Sequence, residues 1–278
     1  MRNQLPPPLN DTESFDSITN AKQGARKTRL SNIKSKVNSA YTAYIANKSY
    51  LGVMVPIALG SVQKKDMEHC YNSKTEGLSS LKSTIIGSRS AEDRKLCPYC
   101  GFREPSEFDH YLPKSKFQEF SIFSKNLIWT CHQCNHKKKE SFIATKRYLN
   151  SYYDVVPEEQ FLFCTIDVPL EKQGISFYFE KPNSITDRQY ADIISHAKNL
   201  DLLQTYEHMA SQILPIWFKR WEILAGQFDQ EKLKTYLFHD MEAGIVVDTD
   251  KYGKNHYKRV LKVSVKKHLS EIVENFYT

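Results

Sequence analysis

At 278 residues, with 40% hydrophobic and 12% aromatic side chains, the chain can bury a sizeable core and is not disordered. Its net charge of +7, from 39 Lys+Arg against 32 Asp+Glu, is a mild bias that excludes neither nucleic acid nor a protein partner. The longest apolar run near the start, Val53 to Leu59, is broken by Pro56, so no stretch reads as a membrane span.

Residues 1–23 open on Pro6-Pro7-Pro8 and then turn polar, which reads as an extended arm. From Arg26 to Lys48, Leu30, Ile33, Val37, Tyr41, Tyr44 and Ile45 recur at three- and four-residue steps and predict a helix. Further helices are expected around Lys65–Tyr71, along Leu78, Leu81, Ile85 and Ile86, and over Lys138–Asn150. The period then changes to two. Phe161 to Val168 and Ile175 to Phe179, joined through Lys172-Gln173-Gly174, predict a β-hairpin. Thr186 followed by Gln189 has the form of a capping box at a helix start. Leu203 to Trp217 predicts the next helix, kinked at Pro215, and Tyr257–Phe276 a last one. The expected domains are a helical region over 1–90, a core over 91–150, and a hairpin-plus-helical region over 151–278, packed as one unit.

The chemistry concentrates between Cys97 and Lys139. Two C-x-x-C pairs, Cys97/Cys100 and Cys131/Cys134, have the spacing of a tetrahedral zinc site. Four thiolates close the metal's shell, so this Zn2+ is expected to be structural. Nothing at the start has the pattern of a secretory leader, and cysteines at metal spacing suit a reducing cytoplasm better than a disulfide framework. Cys70 and Cys164 read as small buried hydrophobes. The 30 residues between the pairs carry Asp109-His110 and Asn126, and Asn135 follows the second pair. Histidine is the natural base for activating water, and a carboxylate with an amide oxygen suits Mg2+ or Mn2+. If Asp109 and His110 lie on a strand, their side chains point to opposite faces, as in-line attack on a phosphodiester requires. Asn126 can orient the imidazole through the loop backbone, and Asn135, at a helix start, is placed near the same cation. Lys114, Lys116, Lys125, Lys137, Lys138, Lys139, Lys146 and Arg147, against Glu119 and Glu140, make the surroundings basic, as a polyanionic substrate would favour.

D-H-Y-L-P-K, then N-L, then C-x-x-C-N-x-x-K resembles the motif of HNH endonucleases with the ββα-metal fold, over about forty residues. The resemblance implies an α+β class: a mainly helical protein with an embedded, zinc-stapled ββα-metal core, plus the hairpin. It implies His110 as general base, Asn126 as its orienting residue, Asp109 and Asn135 as ligands of a catalytic Mg2+ or Mn2+, and Lys114 and Lys138 on phosphate. His136 is the second choice for the third position; His132 reads as a surface residue. More widely, the chain resembles the HNH nuclease subunit of Septu-type and retron-associated antiphage defence systems. That resemblance implies an ABC/SMC-like ATPase partner, with or without a retron reverse transcriptase and its RNA/DNA hybrid, and no membrane. The expected activity is DNA hydrolysis. An RNA nuclease acting on tRNA with the same site is one alternative. A non-catalytic zinc-stapled nucleic-acid-binding or adaptor module is the other.

Overall fold

The computed structural model describes residues 1–141, 147–167 and 174–277. The chain is mixed α+β and mostly helical, with two small two-stranded sheets, and it divides into two compact units, Met1–Val156 and Pro157–Thr278. The boundary therefore falls after Val156, and the N-terminal helices belong with the cysteine segment. Among the described residues, no helix is long and apolar enough to cross a membrane.

The first unit begins with a correction to the extended arm, for helix α1 (Asp11–Asn20) forms within it. Asn10 caps it, its Oδ1 accepting from the N–H groups of Thr12 at 3.2 Å and Glu13 at 3.4 Å. Only Phe15 and Ile18 supply large buried apolar side chains, too few to print a period on the sequence. Helix α2 (Gly24–Ala46) buries Leu30, Ile33, Val37, Ala40, Tyr41 and Tyr44 on one face, as the spacing predicts. Ile45, expected on that stripe, is exposed. Helices α3 (Ser61–Asn72) and α4 (Glu76–Gly87) follow, with α1 packed against both α2 and α4.

Strands β1 (Glu107–His110) and β2 (Leu127–Thr130) pair antiparallel, with Asp109 opposite Ile128 and His110 opposite Leu127. Helix α5 (His132–Lys138) follows immediately and packs on β1, giving a strand–strand–helix order. The helix expected over Lys138–Asn150 is corrected at both described ends. Helix α5 stops at Lys138, Lys139 takes φ 49°, and residues 147–150 are not helical; 142–146 lie outside the described residues.

In the second unit, β3 (Leu162–Ile166) and β4 (Ile175–Phe179) form the expected antiparallel hairpin, although Val168, Lys172 and Gln173 lie outside the described residues. Helix α6 (Asp187–Asn199) opens with the predicted box: Thr186 N–H donates to Gln189 Oε1 at 2.9 Å, and Gln189 N–H to Thr186 Oγ1 at 3.2 Å. Pro215 sits inside α7 (Leu202–Ala225) without ending it. The sequence reading missed α8 (Gln230–Tyr252), because buried Leu233, Leu237 and Met241 share the helix with exposed Tyr236, Phe238, Val246 and Val247, which blur the stripe. The last expected helix is two, α9 (Tyr257–Lys267) and α10 (Leu269–Glu274), parted at His268. Cys164 is only half-buried, whereas Cys70 is fully buried as expected.

The polar clamp between α2 and α3 is Asp66, which is 2% exposed. It accepts from Arg26 Nε at 2.9 Å and from Arg29 Nε at 2.6 Å and Nη2 at 3.1 Å. Burial pushes its carboxyl up, but the hydrogen bonds and charges of Arg29 and Arg26 outweigh that and hold it below the ordinary carboxylate value. A lowered folded value stabilises the fold above the ordinary pKa, and the contribution is lost as pH falls through the folded one. Asp66→Ala is expected to cost about 2 kcal/mol at neutral pH, and Asp66→Asn to flatten the acid limb of the stability curve, both read by urea unfolding across pH.

Candidate functional site

The four predicted cysteines converge. Cys97, Cys100, Cys131 and Cys134 are all buried, and their sulfur atoms lie within 4.8 Å of one another. A tetrahedral zinc at Zn–S of about 2.3 Å needs sulfurs about 3.8 Å apart, so the donor set fits a closed zinc shell. The first knuckle turns through Gly101, whose φ of +80° suits glycine and whose N–H donates to the Cys97 carbonyl at 2.7 Å. The second knuckle is built into α5: Cys131 is its N-cap and Cys134 lies in its first turn. Asn135 is therefore one turn into the helix and does not open it.

Four buried thiolates repel one another, and a bound dication would leave two negative charges over. Thr130 Oγ1 lies 3.0 Å from Cys97 Sγ, placed to donate to a thiolate. Arg89, 8% exposed, adds a cation that sequence reasoning missed. Burial lowers its pKa, Cys97 is among the groups that raise it, and its Nε and Nη1 have no hydrogen-bond partner. Nothing in the local sequence marks Arg89, because tertiary packing alone brings α4's end to the knuckle.

Strand alternation puts Glu107 and Asp109 on the face that meets α5, with Phe108 and His110 on the other. On the α5 face, Asp109 is 2% exposed and both its oxygens are engaged. Tyr99 donates its hydroxyl to Oδ2 at 2.6 Å, and Lys138 donates its ammonium to Oδ1 at 3.0 Å and to the His110 carbonyl at 3.0 Å. Lys138 is fully buried, which corrects its expected place on phosphate: it neutralises Asp109 instead. Asn135 donates to Glu107 Oε1 at 2.9 Å, and exposed His132 stands 3.3 Å from the same oxygen. His136 stacks with His132 at 5.8 Å. Asp109 and Asn135 thus hold different partners, and this arrangement does not form the cation site expected of them. Among the described residues, the four cysteines are the one cluster of three or more His, Cys, Asp or Glu side chains spaced to hold a metal.

On the opposite face, His110 is 8% exposed, with its Nε2 2.9 Å from the Ser121 carbonyl. A carbonyl only accepts, so Nε2 carries the proton and Nδ1 is the basic nitrogen. Burial, the largest cause, pushes the His110 pKa down to about 3 against the raising bond to Ser121; Lys114, Lys138 and Lys82 lower it further. Asn126, wholly buried, closes the loop on itself: its Oδ1 accepts from Leu112 N–H at 2.8 Å, and its Nδ2 donates to the Leu112 carbonyl at 3.0 Å. The loop is held from outside by α2. Tyr41 stacks on Phe123 at 4.2 Å, and Tyr44 meets Phe120 at 5.1 Å and donates to the Lys125 carbonyl at 3.2 Å. Lys114 is partly exposed near His110, and its ammonium lies 4.8 Å from the ring centre of Tyr71.

Fold and site together define a mainly helical α+β chain whose first unit carries a buried four-cysteine cluster able to hold zinc. No family model matches the chain, and no solved structure matches it. It is similar to protein ea31 of Escherichia phage lambda, with 24% identity over 164 residues, covering 57% of this chain and 55% of that protein. The chain thus spans about half the length of that relative.

The two lysines of the motif should separate in a denaturation experiment. Lys138→Ala strands a buried carboxylate and is expected to cost about 3–5 kcal/mol, whereas Lys114→Ala should stay within about 0.5 kcal/mol, both read from urea midpoints.

Proposed function

We propose that the chain is an HNH-type nuclease that hydrolyses phosphodiester bonds of DNA with His110 as its base. The observation that carries this reading is the 2.9 Å contact between His110 Nε2 and the Ser121 carbonyl. Nε2–H donates to the Ser121 carbonyl, which leaves the lone pair on Nδ1, at the end of β1 and on the face away from Asp109. The strand–strand–helix order, the cysteine cluster and the Asn126 clamp on Leu112 support the same reading.

The roles that follow belong to the chain's own residues. Nδ1 of His110 takes a proton from the attacking water, Asn126 and Ser121 fix the ring's direction, and Lys114 draws the phosphate towards it. Burial keeps the imidazole neutral across the physiological range, the correct state for a base but a weak one. An anionic phosphodiester beside it favours the protonated form and so raises its basicity when substrate is present. The Mg2+ or Mn2+ implied for Asp109 and Asn135 does not fit their present pairings, because Lys138 already supplies the positive charge at Asp109. The ATPase partner rests on the family resemblance alone.

That same Asp109–Lys138 pairing favours a second reading, a zinc-stapled nucleic-acid-binding module without catalysis. One experiment divides the two. Purified full-length protein is incubated with supercoiled plasmid and with tRNA, in Mg2+, in Mn2+ and in EDTA, beside His110→Ala. The nuclease reading expects plasmid cleavage that falls at least about 100-fold in a folded His110→Ala protein. Undiminished cleavage by that variant contradicts the role of His110. Cleavage of tRNA alone moves the substrate to RNA. Binding without cleavage under every condition establishes the adaptor.

A further inference from the structure

Outside the motif, the residue placed beside His110 by the fold is Lys82 of α4. Its ammonium lies 4.3 Å from the ring centre of Tyr71, the residue near the end of α3, and Lys114 approaches the same ring at 4.8 Å. The edge-on partner of that ring is His110, with centroids 4.4 Å apart and planes at 71°. Helix α4 and the segment from His110 to Lys114 thus bring two ammonium groups and the candidate base to one tyrosine ring of α3.

The charges there are uncompensated. Among the described residues, no carboxylate stands within ion-pair distance of Lys82 or Lys114. Lys82 is half-buried and its pKa is lowered, first by burial and then by Lys114. Two like charges held close in partial burial cost free energy that an aromatic face offsets only in part. An anion bound by both removes that cost. Both lysines remain partly exposed, so an anion can reach them from solvent.

We propose that Lys82 and Lys114 form a two-lysine phosphate site around Tyr71, seating a backbone phosphate of the nucleic acid beside His110. The proposal rests on the reading of the chain as a nucleic-acid enzyme and adds what the motif does not contain: a phosphate contact supplied by the N-terminal helices. Each lysine offers a point charge to a non-bridging oxygen, a contact that positions the strand and reads no sequence.

The test measures binding apart from turnover. Full-length protein is titrated with a fluorescent 20-base-pair duplex in EDTA, and Kd is followed over about 50–200 mM KCl. Lys82→Ala and Lys114→Ala should each lower the magnitude of the log–log salt slope by about 0.9 and weaken binding severalfold, and the double variant by about twice the slope change. Lys82→Arg should keep the wild-type slope. A folded Lys82→Ala protein with unchanged slope and Kd overturns the site, as does wild-type protein that binds no duplex, and as does a variant whose melting temperature alone shifts. The plasmid assay, run alongside, keeps the two claims apart. A Lys82-dependent slope with no cleavage sustains the phosphate site and removes the nuclease. Cleavage that is indifferent to Lys82, with an unchanged slope, does the reverse.

Discussion

Two pairs of sulfur atoms, separated by thirty residues of chain, meet within 4.8 Å in the interior of the first unit. Everything between them inherits that closure. The intervening residues contain two four-residue strands and two single-turn 3-10 helices, too little regular structure to build a core unaided. A dication on the four thiolates would fix both ends of this segment at once, which makes metal binding and local folding one event. Arg89 and Thr130, both acting on Cys97, are among the groups that would accommodate the surplus negative charge.

The loop between the strands is secured from its other side by aromatic packing. Tyr41 and Tyr44 of α2 lie against Phe120 and Phe123, and the buried amide of Asn126 closes the loop on Leu112. The Ser121 carbonyl that selects the tautomer of His110 is carried on this loop. A side chain at the end of a short strand is thereby oriented through three layers: helix α2, the loop, and one backbone carbonyl. On the opposite face of the same strand, Asp109 is neutralised by Lys138 and hydrogen-bonded by Tyr99.

The legible parts were those that short spacings encode. The C-x-x-C pairs announced the cluster, and alternation on β1 announced the opposed faces of Asp109 and His110. The α2 stripe and the Thr186–Gln189 box appear where their patterns put them. Helix α1 was hidden by its polarity and α8 by apolar residues on its exposed side. Spacing cannot show burial, so Lys138 looked like a phosphate ligand when it is the counter-ion of Asp109. Glu107 could have been found, since it sits two residues before Asp109 on the same strand face and takes up Asn135. Lys82 and Tyr71 could not, because only the packing of α3 and α4 carries them to His110.

The dependence of the whole segment on its four sulfurs is tested most directly by X-ray absorption at the zinc K edge of the purified chain, with metal content determined on the same sample. One zinc per chain, with four sulfur neighbours at about 2.3 Å, is the predicted result. A chain that folds without stoichiometric metal, or a zinc shell dominated by nitrogen and oxygen, would contradict it.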